Sequence, residues 1–309
     1  MIGAIVGDIV GSRFEFRNLK SKDFKLFHPD CRPTDDTVMT LAVGDALMEH
    51  LATGCDLAES AVRKMQGWGL RYLDAGYGAA FLQWLAAEHP RPYYSWGNGA
   101  TMRASFCGWA GKTLKDAVRM AHEVTRVTHD HPEGLAGAEI VAALVFLARR
   151  GIGRNQLRDY VEAHYRKIDF TLDEIRPTYE FDVSCHGSVP HAIAAFLEST
   201  NFVDAIRNAV SIGGDSDTIA AITGSIAEAF YGVPEGVREK ALPYLDQLQR
   251  RTLLECERKL FRMHVTGAGW DSLSADGGFV AAVDPDFAVE MGLIPSLRDL
   301  LEEADDAKE

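Results

Sequence analysis

Two short acidic clusters carry the chemistry this sequence could perform, Pro33-Thr34-Asp35-Asp36-Thr37 and Gly213-Gly214-Asp215-Ser216-Asp217-Thr218. Each stands at the mouth of an apolar, helix-patterned stretch rather than on a charged face. Such residues have a structural use at a helix start, where an N-cap needs an oxygen acceptor and a first-turn carboxylate complements the helix dipole. Thr34 and Asp215 are candidates for that role. One cap needs a single acceptor, however, and each cluster supplies three or more. Several carboxylates carried into an apolar interior need their charge compensated, and divalent cations would do it. With hydroxyl and carboxylate oxygens and no His or Cys at ligand spacing, hard ions, Mg²⁺ or Mn²⁺, suit these clusters better than Zn²⁺.

A third acidic element is Gly7-Asp8-Ile9-Val10-Gly11-Ser12-Arg13-Phe14-Glu15. It reads as one helix with glycines spaced for close packing, which puts Glu15 about two turns after Asp8. One of these carboxylates could reach a metal while the other fixes a backbone or an arginine; the plainer reading is that Asp8 caps the first helix and Glu15 is solvated.

Two glycine-rich turns suit an anionic ligand. Trp96-Gly97-Asn98-Gly99-Ala100-Thr101-Met102-Arg103 is expected to turn into a helix whose free N–H groups receive a phosphate, with Arg103 as the positive contact. Ser184-Cys185-His186-Gly187-Ser188-Val189-Pro190 is the second, with Pro190 expected at the first helical position. His129 and His131 have metal-ligand spacing, but the carboxylates already account for a metal, so they are expected to hydrogen-bond or touch ligand. Cys107 and Cys185 have no evident charged partner and read as packing residues.

The elements that must position these residues are helical. Val38, Leu41, Ala42, Leu47, Met48 and Leu51 mark a helix stopped by Gly54; another runs from Leu135 to Arg150, closed by Gly151; Ile219, Ile222, Ile226 and Phe230 mark a third, ended by Gly232 with Pro234 beyond. Further helices are expected over 113–127, 155–167, 190–199, 202–210 and 243–262. Strand alternation is almost absent. The small residues on these faces allow close approach, so an all-α, compact multi-helix bundle is expected. Residues 1–300 read as a single all-helical domain and the acidic stretch 301–309 as a frayed tail.

The 309 residues are 47% hydrophobic and 25% charged, ordinary for a globular chain with a sizeable core. A net charge of -13 offers phosphate backbones and anionic lipid no general attraction, so no membrane and no general nucleic-acid partner is expected. The N-terminal stretch lacks the basic region of a signal peptide, and the five cysteines are scattered without paired spacing. A reduced cytoplasmic location is expected.

Taken in order, these elements resemble the ADP-ribosylglycohydrolase family from Gly3 to about Gly232, most specifically in Thr34-Asp35-Asp36-Thr37 and Gly214-Asp215-Ser216-Asp217-Thr218. The resemblance implies an orthogonal bundle of many helices and an enzyme that cleaves the glycosidic bond between ADP-ribose and an acceptor on a protein. It implies that Thr34, Asp35, Asp36, Asp215, Asp217 and Thr218 hold two Mg²⁺ or Mn²⁺ ions, with Glu15, Asp35 and Asp36 in the catalytic group. It further implies that Gly97, Asn98, Gly99, Arg103, His129, Ser184, Gly187 and Ser188 line the ADP-ribose, while His186 stands where the family more often has glutamine. Arginine is the first expected acceptor and serine the second, with the loop from Leu19 to Pro33 as the acceptor loop. Two rivals remain: a two-metal phosphoesterase splitting the pyrophosphate, and a non-catalytic ADP-ribose-binding module.

Overall fold

The computed structural model describes residues 1–265, and the acidic stretch 301–309 lies outside them. In chain order the α-helices are α1 (Ile2–Gly11), α2 (Asp35–Thr53), α3 (Leu57–Arg71), α4 (Ala79–Ala86), α5 (Ser105–Ala110), α6 (Leu114–Thr125) and α7 (Pro132–Arg149). They continue as α8 (Arg154–His164), α9 (Leu172–Ile175), α10 (Cys185–Leu197), α11 (Phe202–Ser211), α12 (Ser216–Tyr231), α13 (Glu235–Ala241) and α14 (Gln247–Val265). Among the described residues there is no strand, and one isolated antiparallel bridge joins Gly97 to Ser184. The bundle is all-α, as the apolar spacing predicts.

Local chemistry sets most helix ends. Thr34 caps α2 by accepting from the Asp36 N–H, and Gly54 ends it at φ 73° with its N–H on the His50 carbonyl. Thr113 and Asp116 form a capping box on α6. At α12 the chain leaves the helix through Gly232 at φ 75°.

Three expectations need correction. The first helix stops at Gly11, and Glu15 lies in the turns that follow rather than in the helix. Pro190 lies inside α10, because Ser184 caps that helix by accepting from Gly187 N–H and so starts it at Cys185. The stretch expected as one helix over 243–262 breaks into a 3₁₀ turn at Leu242–Tyr244 and α14, since Asp246 and Gln249 exchange reciprocal backbone-to-side-chain bonds that start a new helix.

The centre of the bundle is α12, buried from Ser216 to Ala227. It is flanked by α1, α7, α10 and α11. Its contact with α1 is backbone on backbone: a Cβ placed on Gly3, Gly7 or Gly11 would stand 2.3, 2.0 and 2.4 Å from the carbonyl oxygens of Gly224, Ala220 and Ser216. Both helices thus present small residues at four-residue spacing along one seam, and that seam delivers Asp8 and Asp217 to the same end of the molecule.

Candidate metal centre

Two helix starts and one mid-helix carboxylate converge at that end. Asp8, fully buried in α1, does not cap its own helix. Its Oδ2 accepts from the N–H groups of Thr34 (2.9 Å) and Thr37 (3.0 Å) and from the Thr37 hydroxyl, while Oδ1 accepts from Thr34 Oγ1 at 2.7 Å. A neighbouring helix therefore supplies the acceptors that the first turn of α2 lacks, and it locks the Thr34–Asp36 turn in place.

Asp36 is 2% exposed; its Oδ2 accepts from Thr218 Oγ1 at 3.1 Å, and its Oδ1 has no partner. Asp217, 3% exposed in the first turn of α12, likewise has a buried Oδ1 with no partner. Asp215 takes the N-cap position of α12 but makes no capping bond; its Oδ2 accepts instead from Asn98 Nδ2 at 2.6 Å. The tandem left-handed glycines before it, Gly213 at φ 75° and Gly214 at φ 73°, turn the chain against Asn18 and Tyr179, and the Gly214 N–H bonds Asn18 Oδ1. Glu15 joins from the turn after α1. The ligand atoms of Asp8, Asp36 and Asp217 lie within 4.8 Å of one another, and so do those of Glu15, Asp215 and Asp217. Asp217 belongs to both triads.

Crowded acids resist ionising. Burial raises every member of the cluster, most strongly Asp36 and Asp217, where the neighbouring carboxylates add to it. Burial and then the charge on Asp215 push Glu15 to about 7; burial and then Asp8 push Asp35 to about 7. Orphaned buried oxygens, an all-oxygen donor set and mutually repelling acids are what a divalent cation would relieve, so the residues fit one. Between roughly pH 4 and 7 the metal-free fold binds more protons than the unfolded chain, so its stability falls as pH rises through that window. Melting temperatures in a chelator should therefore decline across it, and Mg²⁺ or Mn²⁺, which bind the ionised acids, should flatten the slope; a chelator curve that rises with pH would contradict the geometry.

The sequence model of the family described as ADP-ribosylglycohydrolase matches residues 1–267. This chain belongs to the ADP-ribosylglycohydrolase family. It is 28% identical to the ADP-ribosylhydrolase ARH3 of Homo sapiens, across 79% of this chain and 88% of that protein. It is 24% identical to the ADP-ribosylarginine hydrolase Tri1 of Serratia proteamaculans, across 85% and 78%. A solved ADP-ribosylglycohydrolase-related protein complex shares the fold, with TM-score 0.60, 23% identity and coverage of 85% of this chain and 95% of that one. The chain is an ADP-ribosylglycohydrolase enzyme, and none of its described helices is long and apolar enough to cross a membrane.

Within this glycohydrolase, Thr34, Asp36, Asp215, Asp217 and Thr218 come together with Glu15. Asp35 belongs to neither triad, though the charges of Asp8, Asp215 and Glu15 act on it; it is half-buried and faces Gly76 in the turn whose Ala75 carbonyl accepts its N–H at 3.0 Å. The two glycine-rich turns are zipped together, Asn98 N–H to the Val183 carbonyl at 2.7 Å and Cys185 N–H to the Trp96 carbonyl at 2.9 Å. Asn98 Nδ2 bridges Ser188 Oγ (2.9 Å) and Asp215, so it orients a carboxylate as well as lining the loop. Ser184 is spent on its cap, and Gly187 leaves no room for a side chain beside Asp182.

The expected helix after Asn98 is a single 3₁₀ turn, Asn98–Ala100, so it offers no long positive end; the Thr101 N–H returns to the Asn98 carbonyl. Arg103 is turned inward beneath this loop at 1% exposure rather than outward to an anion. His131 caps α7 through Nδ1, and His186 lies exposed beside Arg166, which pairs with Glu133 at 3.1 Å. Burial pushes the Cys107 and Cys185 thiols up to about 12, as packing residues require. Sequence reasoning left open what Asp8 does and missed Asn18 altogether. Their partners lie 26 or more residues away, and no local pattern announces such bonds.

Proposed function

We propose that this glycohydrolase releases ADP-ribose from modified arginine side chains of proteins, using two Mg²⁺ or Mn²⁺ ions held by Asp36, Asp215, Asp217, Thr34 and Thr218. The observation that carries the reading is the pair of buried, partnerless oxygens, Asp36 Oδ1 and Asp217 Oδ1, on two facing helix starts. Ions bound there would orient the ribose hydroxyls and make a water acidic enough to attack at neutral pH.

The remaining work falls to side chains. Glu15, half-exposed and titrating at about 7, can hold a proton for the leaving group or take one from water. Asn98 keeps the Asp215 carboxylate turned to the centre. A cationic guanidinium is favoured as acceptor because Tri1, among the similar proteins, is an ADP-ribosylarginine hydrolase. The loop from Leu19 to Pro33 would meet that acceptor.

Hydrolysis of peptides carrying ADP-ribose on arginine or on serine, with Mg²⁺, Mn²⁺ or a chelator, tests this directly. Intact ADP-ribose should leave the arginine peptide faster, and the chelator should stop it. Preference for serine would reassign the acceptor, whereas AMP plus ribose phosphate would mean a phosphoesterase. Tight, metal-independent ADP-ribose binding without turnover would mean a binding module.

A further inference from the structure

Beneath the Gly97–Gly99 turn lies a chain of buried polar groups that the acidic centre does not account for. Arg103 makes no salt bridge among the described residues and its Nε has no partner, although the side chain is 1% exposed. Its Nη2 donates to Thr128 Oγ1 at 2.6 Å and lies 3.5 Å from His129 Nδ1. Thr128 Oγ1 is 2.7 Å from that same Nδ1, and 3.2 Å from the Thr125 carbonyl.

Proton counting orders this chain. A guanidinium only donates, so it occupies a lone pair of the Thr128 oxygen and leaves that hydroxyl one proton to place. The nearer acceptor is His129 Nδ1. Arg103 Nη2, which can only donate, also faces Nδ1 at 3.5 Å, so an accepting Nδ1, with the ring proton of a neutral imidazole on Nε2, satisfies both neighbours. Burial, and then the charge of Arg103, hold His129 well below the usual histidine range, which agrees with a neutral ring.

The other nitrogen is left free. Nε2 makes no hydrogen bond among the described residues, yet His129 is 4% exposed. A Cβ on either Gly97 or Gly99 would stand 3.6 Å from it, so the two glycines keep the space in front of Nε2 clear.

We infer that Arg103 and Thr128 are positioning residues that fix His129 as a neutral Nε2–H donor, aimed between Gly97 and Gly99 at an oxygen of bound ADP-ribose. The inference rests on the ADP-ribose reading of this site. It replaces a direct Arg103–phosphate contact with a buried cation acting two groups removed, through a hydroxyl and a ring.

Histidine-nitrogen NMR of the full chain, free and with ADP-ribose plus Mg²⁺, tests it together with Thr128→Val and Thr128→Ser. The free protein should show His129 neutral with its proton on Nε2, and that signal should move when ADP-ribose is added. Thr128→Val, which removes the hydroxyl at similar volume, should mix the two tautomers and weaken ADP-ribose binding about tenfold, raising KM with kcat little changed. Thr128→Ser, which keeps the hydroxyl, should restore both. A proton on Nδ1 in the wild type, an Nε2 signal indifferent to bound ADP-ribose, or a Thr128→Val protein that matches wild type would overturn the inference; the wild-type spectrum decides even if the variant does not fold. Failure of ADP-ribose to bind at all would overturn both this assignment and the hydrolase reading, and the tautomer seen in the free protein would tell that failure from a wrong proton order.

Discussion

Replacing Asp36 or Asp217 by asparagine should reduce kcat by at least about a hundred- to a thousandfold, because the several kcal/mol a bound cation contributes to a transition state convert to that factor. The amide keeps the shape of the carboxylate but removes half of its oxygens and all of its charge. The accompanying stability change distinguishes this assignment from simple damage. Each acid is buried among others that repel it, and each has an oxygen no protein group satisfies. The metal-free variants should therefore melt no lower than wild type, while losing the rise in melting temperature that Mg²⁺ or Mn²⁺ confers.

Asp8→Asn gives the opposite signature. Its carboxylate accepts bonds from two backbone N–H groups and two hydroxyls, and an amide would set its own N–H against some of those donors. Leaving buried donors unsatisfied costs roughly 1–3 kcal/mol each, so this variant should melt lower with or without metal. If Asp36→Asn and Asp217→Asn kept near-normal hydrolysis, or if they melted as low as Asp8→Asn, the acidic pair would be structural.

What could be read from the sequence follows from where each cause lies. The ends of α2 and α12 were legible because Thr34, Gly54 and Gly232 act on their own neighbours. The acidic clusters were legible because a cap needs one acceptor and each offered more. By contrast, α3 and α4 were not anticipated. Gly67 and Gly69 weaken the helical pattern of α3, and Gly69 is there because Leu85 of α4 packs against it, at 2.5 Å from where a Cβ would stand. Arg103 illustrates a different limit: spacing placed it one turn from the glycine loop, but only the positions of Thr128 and Phe81 decide that its guanidinium points inward. Asp35 and Asp36 are adjacent and of one type, yet the helix turns one into the cluster and the other toward Gly76.

The largest structural effect should come from a residue with no chemistry at all. Gly7→Val should cost more than about 3 kcal/mol, beyond the usual range for a single overpacked site, since its Cβ would stand 2.0 Å from the Ala220 oxygen and 2.6 Å from the Ala221 nitrogen. Backbone cannot rotate away as a side chain can, so α1 and α12 must separate. That separation would move Asp8 from the first turn of α2 and pull Asp217 from Asp36, and stability and metal binding should fall together. Gly11→Ala is the finer probe: its Cβ would meet the Ser216 oxygen at 2.4 Å and Asp217 Cα at 2.5 Å, next to the ligand itself. Metal affinity should drop more steeply than melting temperature there, because the displacement is concentrated at the start of α12. Gly67→Ala, exposed in α3 with nothing within 4 Å of its Cβ, should by the same reasoning stabilise by about 0.5–1 kcal/mol and leave turnover unchanged. Equal tolerance of alanine at Gly11 and Gly67, measured by thermal melting and Mn²⁺ titration, would mean that the helix seam does not set the spacing of the centre.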